Sequence, residues 1–241
     1  MRKAFHWLLL VALSLLVLQL FFIGRIVLMT VIDPQSTSFQ RSQAWRLASS
    51  GTLRWNQQWR DYEEISNNLK RAVIASEDDD FINHDGVEWE AIEQAWARNA
   101  KAEEAAAKRA EKNLPARQVK VRGGSTITQQ LAKNLLLSGE RTLARKGQEL
   151  VVTYALEKIL SKERILEIYL NNIEWGEGVF GAEAAARHYF RKSASQLSAY
   201  EAARLAVMLP RPRYFEKVPR SAYLNHRAQV IVRRMRSSEL P

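Results

Sequence analysis

Five carboxylates and a histidine fall within the ten residues Glu77-Asp78-Asp79-Asp80-Phe81-Ile82-Asn83-His84-Asp85-Gly86. Negative charges this close oppose one another's ionisation, so at least one carboxyl is a candidate for a raised pKa and for proton transfer. The cluster could also ligate a divalent cation, although its spacing does not fit an EF-hand loop. Taken alone, a solvated acidic turn before a helix is the simpler account.

A second polar segment is Gly123-Gly124-Ser125-Thr126-Ile127-Thr128-Gln129-Gln130-Leu131-Ala132-Lys133-Asn134. At 100° per residue, Thr126, Gln129, Gln130 and Lys133 share one helix face, and Ile127, Leu131 and Leu135 share another. A face of neutral hydrogen-bonding groups suits a sugar or a phosphate, and the glycines let backbone approach a ligand near the helix start. An ordinary surface helix with a flexible start fits equally well. Further on, Arg141, Arg145, Gln148 and Glu149 stand at i, i+4, i+7 and i+8, with Leu143, Leu150 and Tyr154 predicted to face the core on the other side. Two arginines can fork onto phosphate oxygens. Arg145 and Glu149 can also be no more than an i, i+4 ion pair.

Gly176-Glu177-Gly178-Val179-Phe180-Gly181 matches the dinucleotide fingerprint G-x-G-x-x-G. That fingerprint needs a strand before it and a βαβ unit around it. A helical pattern precedes it here, so it reads as a turn.

The elements that must carry these groups are mostly helical. Trp55, Trp59, Tyr62 and Leu69 lie at helical spacing, as do Trp89, Ile92 and Trp96. Residues 97–112 are rich in Ala, Lys, Glu and Arg with almost no large apolar side chain, which predicts a solvated helix or a mobile insertion ending near Pro115. Helices are expected from Ser125 to Leu137, Thr142 to Leu160 and Lys162 to Asn171. Ser198 with Glu201 makes a capping box, and Pro210 ends the helix that follows. Gln118–Arg122 is the best candidate strand. The outer part of the chain is therefore mainly α.

Ahead of it, Arg2 and Lys3 precede an apolar run from Trp7 to Ile23, and a second run follows from Ile26 to Ile32. About 20 apolar residues span a bilayer, and the two runs together suffice if Arg25 snorkels. A signal peptide would have a shorter core and a small-x-small cleavage site, which is not found. The reading is a cytoplasmic tail over 1–6, an anchor over 7–32, a polar linker over 33–44 and one outer domain over 45–241. The basic tail stays in the cytoplasm, which sends the domain outside. The 241 residues carry a net charge of +10, and without Arg2, Lys3 and Arg25 the outer domain keeps +7, so its partner is expected to be anionic. No cysteine is present, which removes disulfides and cysteine-ligated zinc.

In order, these segments resemble the glycosyltransferase domain of class A penicillin-binding proteins, glycosyltransferase family 51. The family's motifs E-D-x-x-F-x-x-H-x-G, G-G-S-T-I-T-Q-Q-x-x-K-N, R-K-x-x-E and I-L-E-x-Y-L-N stand at 77–86, 123–134, 145–149 and 165–171. Gly181, Ala185 and Tyr189-Phe190 extend the match, which covers about residues 60–215. Neither S-x-x-K nor K-T-G of the penicillin-binding half is found. The length and single anchor resemble the monofunctional biosynthetic transglycosylase branch. The insertion around 99–120 departs from the family and touches the edge of the donor site.

The resemblance implies a mainly α, lysozyme-like domain with a small membrane-facing lobe. It also implies an inverting transfer that polymerises undecaprenyl-diphosphate-linked GlcNAc-MurNAc-peptide. Glu77 would be the base and Glu149 the second carboxylate. Lys133, Arg141, Arg145 and Lys146 would hold pyrophosphate, while Ser125, Thr126, Gln129, Gln130 and Asn134 line the donor cleft. Asp78 would contact a divalent ion, with magnesium or manganese assisting and no organic cofactor. The implied partners are the lipid-linked substrate, the growing glycan strand, the membrane and other cell-wall synthesis or division proteins. Nucleic acid would lie on the wrong side of the membrane. Two rivals stay open: a lysozyme-like enzyme that cleaves peptidoglycan, and a catalytically silent membrane-tethered scaffold.

Overall fold

The computed structural model describes residues 2–111, 124–137, 139–140 and 142–241. Helix α1 (Arg2–Leu28) is apolar along almost its whole length, and from Lys3 to Leu28 it is long enough to cross a membrane. Most of its side chains face outward, but its last turns do not. Ile26 and Met29 are buried in the core of the domain, with Phe22 packed beside them. Arg164 fixes this junction, donating to the Met29 carbonyl at 2.8 Å and pairing with Asp33 at 2.7 Å.

The stretch expected to be a linker is half helix. Thr37 and Gln40 form a reciprocal capping box that starts α2 (Ser38–Ser49). Buried Gln40 then donates to the Asn172 carbonyl at 3.2 Å, which ties α2 to the domain.

The aromatic stripe Trp55, Trp59, Tyr62 is not on an α-helix, contrary to its spacing. This segment is extended, with strand β1 (Asn56–Gln57) and a single 3₁₀ turn, Tyr62–Glu64. Its backbone groups find tertiary partners instead of helical ones. The Asn171 side chain accepts from the Arg60 N–H and donates to the Arg60 carbonyl, both at 2.8 Å.

Helix α3 (Asn67–Glu77), capped by Ser66, brings Glu77 to its last residue. Helix α4 (Trp89–Glu111) contains the Ala/Lys/Glu stretch, whose described side chains are mostly exposed, as a solvated helix requires. Trp89 at its start is itself exposed rather than core. The candidate strand 118–122 lies outside the described residues. Helix α5 (Ile127–Leu136) is capped by Thr126, one residue beyond the expected Ser125. Helices α6 (Leu143–Ile159) and α7 (Lys162–Asn172) follow, capped by Thr142 and Ser161.

Strands β2 (Glu174–Gly176) and β3 (Val179–Phe180) form a small antiparallel pair, and β1 joins β3 in parallel. The glycine-rich sequence is the turn of this pair. A Cβ on Gly178, at φ +74°, would stand 2.1 Å from the Arg54 carbonyl oxygen. Helices α8 (Ala182–Phe190), α9 (Ala199–Met208), α10 (Pro212–Lys217) and α11 (Ala222–Arg234) complete the chain. The Ser198–Glu201 capping box opens α9, which packs between α3 and α11. The second packed unit is α5 against α2, α6 and α7, and the site lies there.

Candidate active site

The acidic cluster is a joint, with one carboxylate left for other work. Asp78 is buried and has both oxygens engaged: Oδ2 accepts from the Ile127 N–H at 2.8 Å, and Oδ1 meets His84 Nε2 at 2.8 Å. The Gly86 N–H donates to His84 Nδ1 at 3.0 Å, so Nε2 carries the ring proton toward Asp78. Burial lowers the His84 pKa, and the hydrogen bond and charge of Asp78 more than offset it, leaving it raised. The Gly86 N–H aimed at Nδ1 opposes a second proton on the ring. Thr126 adds a further link, donating to the Gly86 carbonyl at 2.7 Å. Phe81 fills the core beneath. Two motifs far apart in sequence are thus bolted together at the N-terminus of α5.

This joint sets Glu77 beside α5. Gln130 donates to Glu77 Oε2 at 3.0 Å and accepts from the buried Tyr169 hydroxyl at 3.0 Å. Burial raises the Glu77 pKa and the neighbouring Asp78 charge raises it further, while hydrogen bonds from Gln130 and Ser76 pull against the shift. A half-buried carboxyl of raised pKa, held by an amide, suits a general base.

Next to it opens a cleft of about 1010 Å³. Ser125, Gln129, Gln130, Lys133 and Asn134 line one wall, and Arg145, Lys146 and Glu149 line another. Glu149 is only 3% exposed and bridges two cations: Arg145 Nη1 lies 2.6 Å from its Oε2 and Lys146 Nζ 2.5 Å from its Oε1. Lys133, Arg145 and Lys146 make this a cationic lining around one buried carboxylate, suited to oxygen-rich anions.

Comparison with known proteins gives the family. The family model described as "Transglycosylase" matches residues 46–236. The chain belongs to the transglycosylase family. Relatives named "Biosynthetic peptidoglycan transglycosylase" are similar over nearly its full length. That of Paraburkholderia phytofirmans is 52% identical over 232 residues, 96% of this chain and 90% of the relative. That of Herminiimonas arsenicoxydans is 51% identical over 243 residues, covering 100% and 99%. That of Burkholderia thailandensis is 54% identical, covering 92% and 82%.

Within this transglycosylase domain, the residues picked from sequence divide in three. Ser125, Gln129, Gln130, Lys133, Asn134, Arg145, Lys146 and Glu149 line the cleft, and Glu77 reaches its wall through Gln130. Thr126 does not line it: its hydroxyl caps α5 and binds Gly86. Gln129 is half committed, since it closes the same capping box. Arg141 lies outside the described residues. Asp78, expected to contact a divalent ion, is buried and spends one hydrogen bond of each oxygen on a protein donor, His84 and the Ile127 N–H. Among the described residues no group of three or more His, Cys, Asp or Glu could hold a metal ion.

The expected facing of α6 is also corrected. Leu143 and Tyr154 are exposed, Leu150 is half-buried, and the inward face carries Glu149, Val152, Thr153 and Leu156. The core accepts Glu149 there because Arg145 and Lys146 neutralise it. Sequence reading missed the third wall, Ser38, Phe39, Ser42 and Gln43 of α2, and Glu174 on the floor. The signal for α2 was present as Thr37-x-x-Gln40, a capping box inside an otherwise loop-like composition. Glu174 pairs with Arg213, which also reaches Gln43, so α2, β2 and α10 meet at one cation.

Proposed function

We propose that the chain polymerises lipid-linked GlcNAc-MurNAc-peptide into glycan strands for cell-wall synthesis, releasing undecaprenyl diphosphate. One observation carries the reading. A single cleft has cationic Lys133, Arg145 and Lys146 on its walls and the Gln130–Glu77 pair beside it, on a domain joined to a helix able to cross a membrane.

In this reading Glu77 takes the proton of the acceptor sugar's 4-hydroxyl. The oxygen forms a bond to the anomeric carbon on one face as the bond to the diphosphate oxygen breaks on the other, with inversion. The departing diphosphate keeps the electron pair. Arg145, Lys146 and Lys133 stabilise that charge as it develops. Glu149 holds the two α6 cations in place and assists at the leaving group. Gln130 keeps Glu77 oriented. No step is routed through a metal.

The anchor would be a single pass through the cytoplasmic membrane, with the short basic N-terminus in the cytoplasm and the domain outside. The test is to incubate the full-length protein in detergent with labelled lipid-linked disaccharide and resolve the products. A ladder of polymer is expected. Cleavage of preformed glycan with no polymer would replace this reading with a hydrolase.

A further inference from the structure

Helix α6 is unevenly supported. From Glu149 onward it is fixed by buried Val152, Thr153 and Leu156, but none of the residues 142–148 is buried. That poorly packed stretch carries Arg145 and Lys146. It also contains Gly147, at a spot where a Cβ would meet nothing within 4 Å, so the glycine is not there for space and simply weakens the helix.

A pair of side-chain amides braces this segment against α1. Gln148 and Gln19 pair their amides reciprocally, Gln19 Nε2 donating to Gln148 Oε1 at 2.7 Å and Gln148 Nε2 donating to Gln19 Oε1 at 2.9 Å. Gln19 lies within the span Lys3–Leu28, about 13 Å of helix rise before Leu28. The pair is partly buried between the two helices, where each amide meets the other's hydrogen-bonding need. Gln148 immediately precedes Glu149, and 100° of helix turn sends one side chain to the anchor and the next to the cleft.

We propose that Gln19 of the anchor is a positioning residue for catalysis: through Gln148 it braces the first turns of α6, so that Arg145 and Lys146 stay registered on Glu149. The anchor thereby sets the geometry of the cationic wall as well as holding the domain at the membrane. The proposal rests on the polymerase reading above for its kinetic test, and a contact test stands apart from it.

The kinetic test compares the wild-type chain with Gln19→Leu in detergent. Leucine keeps the anchor apolar and leaves Gln148 without its partner. We expect kcat to fall about 3- to 10-fold, because a sub-ångström displacement of charged groups is felt at the transition state. The KM for donor and the melting temperature should stay near wild type. Adding Gly147→Ala, which stiffens the same turn, should recover most of the lost kcat. A Gln19→Leu protein with wild-type kcat, a loss of kcat that tracks a lower melting temperature, or no recovery with Gly147→Ala would each overturn the proposal.

The contact test uses the absence of cysteine from the chain. In full-length Gln19→Cys/Gln148→Cys, a short bis-thiol-reactive reagent should bridge the two positions in membranes, whatever the activity. Bridging should raise the turnover that the cysteine substitutions lower. No bridge, or a bridge that lowers turnover further, would show that the two helices do not hold this register during the reaction. Failure of the wild-type chain to polymerise would instead strike the function reading and leave the bridging result to decide the contact.

Discussion

The Gln130 side chain donates to Glu77 at 3.0 Å while its own carbonyl receives the Tyr169 hydroxyl at 3.0 Å. The amide cannot flip without losing both bonds, so its donor end always faces the carboxylate. This matters because the bond is one of the few influences holding the Glu77 pKa down against burial and the charge of Asp78.

Gln130→Leu should therefore push the Glu77 pKa further up. A base works only when deprotonated, so the acid limb of kcat/KM should move to higher pH. The plateau should fall too, since Gln130 lines the cleft, but the position of the limb is the diagnostic. A pH profile of the polymerisation rate checks it. An unmoved limb would mean that another group sets it.

Glu77→Gln should abolish polymerisation without lowering the melting temperature at neutral pH. The folded pKa of Glu77 is raised above its unfolded value. Its contribution to stability is thus full below the unfolded pKa and lost as pH rises through the folded one. At neutral pH the ionised, partly buried group is a burden that glutamine removes. Melts at acid and neutral pH, alongside the rate, check both halves.

Helix α6 offers a test of its facing. Leu143 is 92% exposed, so Leu143→Ala should leave stability nearly unchanged. Leu156→Ala should cost about 2–5 kcal/mol through the cavity it opens. Arg145→Ala should weaken use of the donor and also cost about 1–3 kcal/mol, because Glu149 loses a charged hydrogen bond in a buried setting. Thermal melts on the three variants decide the order.

Asp78→Asn should destabilise the domain by about 1–3 kcal/mol, since it weakens the bonds to Ile127 and His84. The rate should fall through misplacement of α5. Its response to added magnesium, whatever that response is in the wild type, should be the same in the variant. A magnesium dependence that changes with Asp78→Asn would make Asp78 a metal contact.

Removing residues 1–32 should lower the melting temperature measurably. Ile26 and Met29 belong to the core, and losing each buried aliphatic side chain costs about 1.5–3 kcal/mol. Ending the deletion before Phe22 should spare much of that stability. Melts of both truncations in one detergent make the comparison.

Much of this architecture could be read from residue order alone, because helices announce themselves through caps and periodic burial. The starts of α6 and α9 followed from Thr142 and Ser198, and α7 begins at Lys162 as its pattern predicts. Tertiary partners produced the errors. The Trp55–Tyr62 stripe has helical spacing, yet β3 and Asn171 claim its backbone. Polarity misled on α6, where burial of Glu149 is made possible by two cations that lie close only once the helix exists. Ser38, Phe39, Ser42 and Gln43 became cleft residues only by the docking of α2 on α5, which no local pattern encodes. The family motifs marked the right segments, but they could not separate groups that face a ligand from groups such as Asp78 and Thr126 that hold the others in place.

The bond from Thr126 to the Gly86 carbonyl brings together two points forty residues apart in the chain. The first part of the path between them is α4, whose described side chains beyond Ala97 are mostly exposed. For such a closed excursion, extra length adds only a slowly growing, logarithmic entropy term. Lengthening the exposed part of α4 should therefore cost the Thr126–Gly86 joint little. A reporter peptide spliced into that exposed part of α4 should leave the joint that sets Glu77 intact.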